Sequence, residues 1–240
     1  MTRHTHWRCR GSAAVLLLAA LTFYGQAGYL YAKAVLAQWL IADAWQQSVL
    51  QHHRLPQSQR QQPRPPSQST RPGPVRPWPW ADTWPIARLR YQGEHGTQDL
   101  YILEGATGSS LAFGPGHMAG TAAPGTKGNS VVGGHRDTHF AFLQHLQPGD
   151  RVQIQTPKGI WQSFRVDHTQ VHNIQDGPLW LDATRHQLQL ITCYPFDAIT
   201  ANGPLRYRVL LTPVAPTSPG QLAAKQTAPN QKRPNATLFF

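Results

Sequence analysis

Cys193, assisted by a histidine and an arginine, could attack a carbonyl group. Cys193 lies late in the strand-like run "HQLQLITCY", which Pro195 ends because proline cannot donate to a β-ladder. A cysteine thiolate is a nucleophile, and it needs a partner, usually histidine, that stabilises the thiolate or delivers protons. An arginine beside the thiol can hydrogen-bond a tetrahedral oxyanion. The chain offers a candidate for each partner.

His135 and two arginines are these candidates. His135 follows two glycines in "NSVVGGHRDTHF", where the backbone can turn sharply and leave the imidazole accessible. Arg206 and Arg208 lie two residues apart in "LRYRV", so one face of a strand carries both. With 12 histidines in the chain, a single histidine is a weak signal. Which arginine faces the thiol stays open on spacing alone.

The N-terminal segment predicts a location outside the cytoplasm. Residues 11–32 carry no charge and follow several arginines, and about 20 apolar residues span a bilayer. Positive charge before such a run predicts a cytoplasmic N-terminus. We expect an uncleaved single-pass signal anchor at residues 1–32. The alternative is a cleaved signal peptide, with small residues at 25–27 as the cleavage site.

Cysteine usage fits this location. The only other cysteine, Cys9, precedes the apolar run, so it would be cytoplasmic or removed with the signal. Cys193 therefore lacks an intramolecular disulfide partner. A lone thiol outside the cytoplasm is either buried and inert or kept for chemistry.

Composition divides the rest of the chain. Residues 33–50 repeat apolar side chains at helical spacing and predict an amphipathic helical stalk. Residues 51–80 are rich in Pro, Gln, Ser and Arg and predict a disordered linker, and residues 215–240 predict a disordered tail. The folded domain is expected at residues 81–214. The stalk pattern consists of Leu36, Trp39, Leu40, Trp45 and Val49.

Charge argues against a nucleic-acid partner. The net charge is +11, but ten acidic and ten basic residues lie between Asp82 and Thr212. The excess therefore belongs to the flanks, whereas nucleic-acid-binding proteins usually carry their basic patch on the folded domain.

Short strand-like runs separated by turn signals predict an all-β domain, a small closed barrel. One short helix is expected at 139–146, and the run 159–173 is expected to form two strands. Asp137 and Thr138 are expected to cap that helix or to orient His135. The other strand-like runs are 86–91, 99–105, 129–134, 150–156, 186–194 and 205–214.

Three motifs in the order histidine, cysteine, arginine resemble the sortases, cysteine transpeptidases of the bacterial surface. They are "GNSVVGGHRDTHFAFLQHLQPGD", "LITCYP" and "RYRV", with "LAFGPGHMAGTAAPGTKGN" leading into the first. The resemblance covers residues 84–214 and is closest to class D-like sortases of Gram-negative bacteria. It implies a closed eight-stranded barrel with one or two short helices, preceded by a helix in the inner membrane, with the catalytic domain in the periplasm.

The resemblance also implies roles. Cys193 would be the nucleophile, His135 the general acid/base and Arg206 the oxyanion clamp, with Arg208 as the other arginine. The substrate would be a protein with a C-terminal Leu-Pro-x-Thr-Gly-like sorting signal, cleaved between Thr and Gly, and the acceptor an amine of unknown identity. Thr192 would position the substrate or pack in the core. His117 would approach the site or lie in a surface loop.

Two other functions use the same sequence features. A cysteine endopeptidase would use water as acceptor, and a non-catalytic anchored barrel would leave Cys193 inert. No Cys/His spacing typical of zinc is present, so no metal and no cofactor is expected.

Overall fold

Eight strands in the described part of the chain close into a β-barrel. The computed structural model describes residues 3–54, 73–93, 96–179, 181–200 and 203–215. The strand order around the barrel is β1-β2-β3-β4-β7-β8-β6-β5, and β5 pairs with β1. The predicted eight-stranded barrel is confirmed. The strands are β1 Pro85–Gly93, β2 Gly96–Glu104, β3 Gly116–His117, β4 Asn129–Gly133, β5 Arg151–Gln155, β6 Trp161–Asn173, β7 Gln187–Cys193 and β8 Leu205–Pro213.

The described residues also form helices between and before the strands. The long helix α1 covers Arg3–Arg54, and the short helix α2 covers Gly108–Leu111. The helix predicted at 139–146 is present as the 3-10 helix Ala141–His145. A second 3-10 helix, Ile174–Asp176, follows β6.

Alternation along the strands builds the core. In β1, Ala87, Leu89 and Tyr91 point inward and are buried, while Arg88 and Arg90 between them point outward. Burying a large apolar side chain stabilises the fold by about 1.5–3 kcal/mol. The core is completed by Ile102, Val132, Phe140, Leu143, Leu146, Val152, Ile154, Phe164, Val166, Leu188, Leu190, Val209 and Leu211.

Strand β7 is covered on both faces. Leu188 and Leu190 point into the core, and Gln189, which points outward, is nevertheless fully buried. Its side-chain amide donates to Asn129 Oδ1 at 2.9 Å and Gln187 Oε1 at 3.3 Å, and Asn129 Nδ2 in turn donates to the carbonyl oxygen of Asp182 at 3.2 Å.

The two strands predicted within 159–173 are one strand, and that prediction is wrong. β6 pairs with β5 through its first residues and with β8 over most of its length. A register shift between Val166 and His168 absorbs the interruption in alternation. Such a bulge adds a residue without ending the strand. The two-residue strand β3 was not predicted, because two residues carry no period.

The segment predicted as a helical stalk packs on the barrel. Ala37, Ile41, Ala44 and Trp45 are buried, and their spacing places them on one face of α1. The Trp45 ring lies 6.5 Å from that of Tyr101 on β2. Leu36 and Trp39, both named in the predicted apolar pattern, are exposed instead.

The apolar run predicted to cross the membrane lies within α1. Among the helices of the described ranges, none has a stretch both long and apolar enough for a membrane crossing. Glycines, Gln26 and the tyrosines Tyr24, Tyr29 and Tyr31 dilute its apolar side chains. The predicted membrane-spanning helix is not confirmed. Residues 55–72 and 216–240, most of the predicted linker and tail, lie outside the described residues.

Candidate active site

Three neighbouring strands bring the candidate residues to one edge of the barrel. β4 and β7 are parallel, with Gly133 opposite Ile191, so both strands end at this edge. β8 is antiparallel to β7 and begins there. His135 follows the end of β4, Cys193 is the last residue of β7 and Arg206 is the second residue of β8. Strand topology therefore gathers residues that lie far apart in sequence.

Cys193 lies directly opposite Arg206. Their Cα atoms are register partners across β7 and β8, and directly opposite residues of an antiparallel pair have Cβ atoms about 4.5–5.5 Å apart on the same face. The thiol is free and half-buried. Arg208, opposite Ile191, shares this outer face one pair deeper. A thiol and a guanidinium group thus lie on the same face at this end of the barrel.

The turn that carries His135 is fixed from two sides. The Gly134 amide donates to the carbonyl oxygen of Ile191 at 3.1 Å, and the Thr192 hydroxyl donates to the carbonyl oxygen of Gly134 at 2.7 Å. The Phe140 amide donates to the carbonyl oxygen of His135 at 3.0 Å. A Cβ atom at Gly134 would lie 2.7 Å from the Phe140 ring, so only glycine fits there.

The His135 side chain is exposed at this turn. The nearby His139 has a pKa below its ordinary value, first because burial disfavours the imidazolium and second because His135 lies close enough to repel it when charged. Asp137 and Thr138 do not cap the following 3-10 helix, because its N-cap is Phe140 and no side chain caps it. The capping prediction is therefore wrong.

The Thr192 side chain points into the barrel, away from the face that carries Cys193 and Arg206. It is 3% exposed and lies opposite Tyr207 on the inward face of the sheet. Its hydroxyl ties β7 to the turn before His135. This placement favours the packed alternative over substrate contact.

The two arginines of β8 are held differently. Arg206 Nη1 donates to the carbonyl oxygens of Gly203 at 2.6 Å and Leu205 at 2.9 Å. Arg208 Nε donates to Gln189 Oε1 at 2.8 Å, and burial lowers the pKa of Arg208. Arg206, the register partner of Cys193, therefore binds the end of the loop that joins β7 to β8, whereas Arg208 is anchored deeper.

The His117 side chain contacts the segment that follows β3. It is 6% exposed, and its Nε2 lies 3.0 Å from both the Thr121 hydroxyl and the Ala122 carbonyl oxygen. Its Nδ1 lies 3.8 Å from Glu104 Oε2. The surface-loop alternative is wrong, since His117 is buried in a strand. Two strand steps, β3 to β4 to β7, separate it from the strand of Cys193.

Within the described residues, no cluster of three or more His, Cys, Asp or Glu side chains is arranged to hold a metal ion. The chemistry available at this edge is that of a thiol, an imidazole and a guanidinium group. That set suits attack on a carbonyl, stabilisation of the resulting oxyanion and proton delivery to a leaving amine.

Comparison with known proteins decides the family. The sortase domain model matches residues 95–214, half of the 240-residue chain. The chain belongs to the sortase family. Sortase D of Bacillus subtilis (strain 168) is 32% identical over 110 residues, which cover 45% of this chain and 54% of that protein. This chain therefore spans about half the length of that relative.

Two solved structures of sortases are similar to the chain. Sortase A from Corynebacterium diphtheriae is 27% identical, with 59% of this chain and 66% of that chain covered and a TM-score of 0.48. A Clostridium perfringens Sortase D5 transpeptidase is 26% identical, with 55% and 80% covered and a TM-score of 0.47.

The sequence interpretation of this sortase missed a cluster of aromatic side chains that packs against the core next to the strand ends of Cys193 and Arg206. The rings of Tyr194 and Tyr207 lie 6.0 Å apart, and that of Phe196 lies 5.1 Å from Tyr207. These rings pack where β7 passes into the loop before β8. The aromatic residues of "CYPF" and "RYR" were the available signal. Gln189, which accepts a hydrogen bond from Arg208, was also missed, because its polar contacts lie on neighbouring strands that are distant in sequence.

Proposed function

We propose that this sortase-family chain is a cysteine transpeptidase. The observation that carries the proposal is the register pair of Cys193 and Arg206 at the edge where the His135 turn begins. A guanidinium group opposite a thiol supports the roles of oxyanion donor and nucleophile, and the imidazole on the turn supports the role of acid/base. The order of the three residues also fits the family's motifs.

The reaction would proceed through a thioester. The Cys193 thiolate attacks the carbonyl carbon of a peptide bond, and the electron pair of the C=O bond moves to oxygen. Arg206 stabilises this oxyanion. When the tetrahedral intermediate collapses, the C–N bond breaks and His135 in its protonated form donates a proton to the leaving amine. An incoming amine then attacks the thioester carbonyl and gives a proton to His135, and the C–S bond breaks to leave a new amide and the Cys193 thiolate.

We propose a protein with a C-terminal Leu-Pro-x-Thr-Gly-like signal as the substrate, cleaved between Thr and Gly. The motif resemblance supports this choice. The acceptor is an amine, and the three side chains do not select among amines. Water in place of the amine would give an endopeptidase with the same residues.

The deciding experiment uses the full chain, since α1 packs on the barrel. The protein is incubated with a Leu-Pro-x-Thr-Gly peptide and a panel of amines, and adducts are followed by mass spectrometry. We expect a thioester on Cys193 that is absent in Cys193→Ala and resolves faster with an amine than with water. Resolution by water alone would indicate the endopeptidase. A folded protein that forms no adduct with any peptide would overturn the proposal.

We also propose that the N-terminal part of α1 associates with the inner membrane, with the barrel outside the cytoplasm. Its large apolar side chains are 63% to 79% exposed, and an exposed apolar surface marks a partner or membrane contact. Fractionation of cells tests this location. We expect the protein in the membrane fraction after a high-salt wash and its release by detergent. Release by salt alone would contradict the proposal. The exposed residues are Leu16, Leu17, Leu21, Phe23, Tyr24, Tyr29, Leu30 and Tyr31.

A further inference from the structure

Arg136 is a buried arginine directly beside the candidate acid/base His135. Only 6% of the residue is exposed. Its Nη2 donates to the carbonyl oxygens of Ala198 at 2.6 Å and Thr200 at 2.9 Å. Its Nε lies 3.2 Å from Asp137 Oδ1. The guanidinium group therefore joins the His135 turn to the segment that follows Cys193.

The buried charge of Arg136 is bound mainly by backbone carbonyl oxygens and not by a buried carboxylate. Its one ion-pair partner among the described residues, Asp137, is largely exposed, so the contact adds little stability. The two carbonyl oxygens are the stronger contacts, and a planar guanidinium group with several fixed donors can serve them while it also serves Asp137. An ammonium group on a flexible stem does not reproduce that geometry.

The segment that Arg136 holds is the first part of the β7–β8 loop, residues 194–200. The loop begins immediately after Cys193 and ends before Arg206. Arg206 holds its far end through the carbonyl oxygen of Gly203 at 2.6 Å. Two arginines therefore bind the loop carbonyls, one from each side.

The turn holds the loop, and the loop does not hold the turn, because the backbone of the turn is fixed by other bonds. The residues around His135 are already fixed by backbone bonds to β7 and by Phe140, independently of the Arg136 side chain. The loop is largely exposed at Pro195, Asp197 and Thr200. Arg136 thus attaches the exposed part of the loop to a turn that is fixed independently, while Tyr194 and Phe196 of the same loop pack against Tyr207.

We propose that Arg136 is a positioning residue that holds the β7–β8 loop in register with His135, so that a peptide bound at Cys193 meets the imidazole in reactive geometry. The inference rests on the proposed function. Arg136 acts through the loop and does not touch the reacting atoms. Misplacement of a site by about 1 Å can cost about 100-fold in rate, so loss of this attachment is expected to be visible in kinetics.

The test compares Arg136→Gln and Arg136→Lys with a matched control, Arg165→Gln. Arg165 is also an arginine near an aspartate, Asp167 at 3.9 Å, but it is exposed on β6. In the full chain, hydrogen exchange of the amides in 196–200 reports on the loop. The rate of Cys193 acylation by a sorting-signal peptide is compared with the rate of its alkylation by iodoacetamide, which needs no positioned peptide.

For Arg136→Gln we expect faster exchange in the loop, unchanged exchange in the barrel strands and a kcat/KM for acylation lowered about 10- to 100-fold. Alkylation and the Arg165→Gln variant should match the wild type. Arg136→Lys, which keeps the charge and guards against a variant that fails to fold, should recover little of the acylation rate. Unchanged loop exchange, unchanged acylation, or full recovery by lysine would overturn the proposal.

This design separates the two proposals. If the wild type forms no acyl-enzyme, the proposed function fails and the role in positioning a peptide fails with it, while loop exchange still decides whether Arg136 holds the loop. If the wild type is acylated and Arg136→Gln behaves like it, only the positioning role fails.

Discussion

At the residue scale, the two arginines of β8 differ in what surrounds them. Arg206 is the register partner of Cys193, whereas Arg208 lies opposite Ile191 and is bound to the buried Gln189. An oxyanion formed on a carbonyl attached to Cys193 would therefore meet Arg206 first. We expect Arg206 to act in catalysis and Arg208 to act mainly in the packing of the sheet.

Replacing each arginine with alanine tests this division. Arg206→Ala should lower kcat/KM for acylation by about 100- to 1,000-fold, the usual loss for one oxyanion donor. Arg208→Ala should lower the rate less and should reduce the free energy of unfolding by about 1–2 kcal/mol, because buried Gln189 Oε1 loses its donor. Single-turnover kinetics and urea unfolding measure both quantities. A larger kinetic loss at Arg208 would transfer the oxyanion role to Arg208.

Thr192 offers a second prediction at this scale. Thr192→Val keeps the shape and removes the hydroxyl that binds the carbonyl oxygen of Gly134. We expect a loss of about 1–2 kcal/mol in the free energy of unfolding with little change in KM for the peptide. Thr192→Ser, which keeps the hydroxyl, is the control and should lie closer to the wild type. A raised KM at unchanged stability would show instead that Thr192 contacts the substrate.

At the scale of elements, the part of α1 around Trp45 packs on the barrel. Trp45 is 2% exposed against the barrel, whereas Trp39 on the same helix is 63% exposed. Gln38 also donates to the carbonyl oxygen of Phe113 at 2.7 Å, outside the helix. One face of α1 therefore packs on the barrel, and another face is exposed.

The two tryptophans provide a matched pair of variants. Trp45→Ala should reduce the free energy of unfolding by about 3–5 kcal/mol, as expected for a buried large side chain. Trp39→Ala should change it by no more than about 0.5 kcal/mol, as expected at the surface. Thermal and urea unfolding of the full chain measure both. Equal effects would mean that α1 does not dock on the barrel in solution.

The strands were predictable where they alternate and unpredictable elsewhere. Most strand runs were recognised from sequence because one face is apolar. The bulge in β6 broke the period and made one strand resemble two. The docking face of α1 was missed because apolar residues surround the helix on several sides, so periodicity alone does not choose Ala37 and Ile41 over Leu36 and Trp39. The choice depends on the barrel surface, which the helix sequence does not contain.

The candidate site was predictable as a set of residue types and less so as a geometry. Cys193, His135 and Arg206 were recognisable from motifs, and strand order then brings them to one edge. The contacts of Arg136 and Gln189 were not predictable, since each reaches a residue about 20 or more positions away. Such contacts exist only after the barrel closes.

At the scale of the whole molecule, the candidate site lies at the ends of strands that also hold the core together. The parallel pair of β4 and β7 supplies core residues, and the turn to His135 returns to the core at Phe140. Any pH effect on the turn is therefore coupled to the stability of the domain. His139, within that turn, provides the means to measure this coupling.

Burial and the nearby His135 hold the pKa of His139 below its ordinary value of 6.5. Below that pH the unfolded chain binds a proton at His139 that the folded chain resists, so stability is lost as the pH falls from 6.5 toward the lower folded pKa. Above 6.5 this histidine has no effect on the pH dependence. His139→Gln should therefore lose less stability than the wild type between pH 7 and pH 5, measured as Tm against pH.

The exposed His168 provides the control, and His168→Gln should follow the wild type. The loss of stability in His135→Gln should lie between those of the wild type and His139→Gln, because this variant removes the charge repulsion on His139 and leaves its burial. If all four proteins lose stability in parallel, His139 does not couple the turn to the stability of the fold.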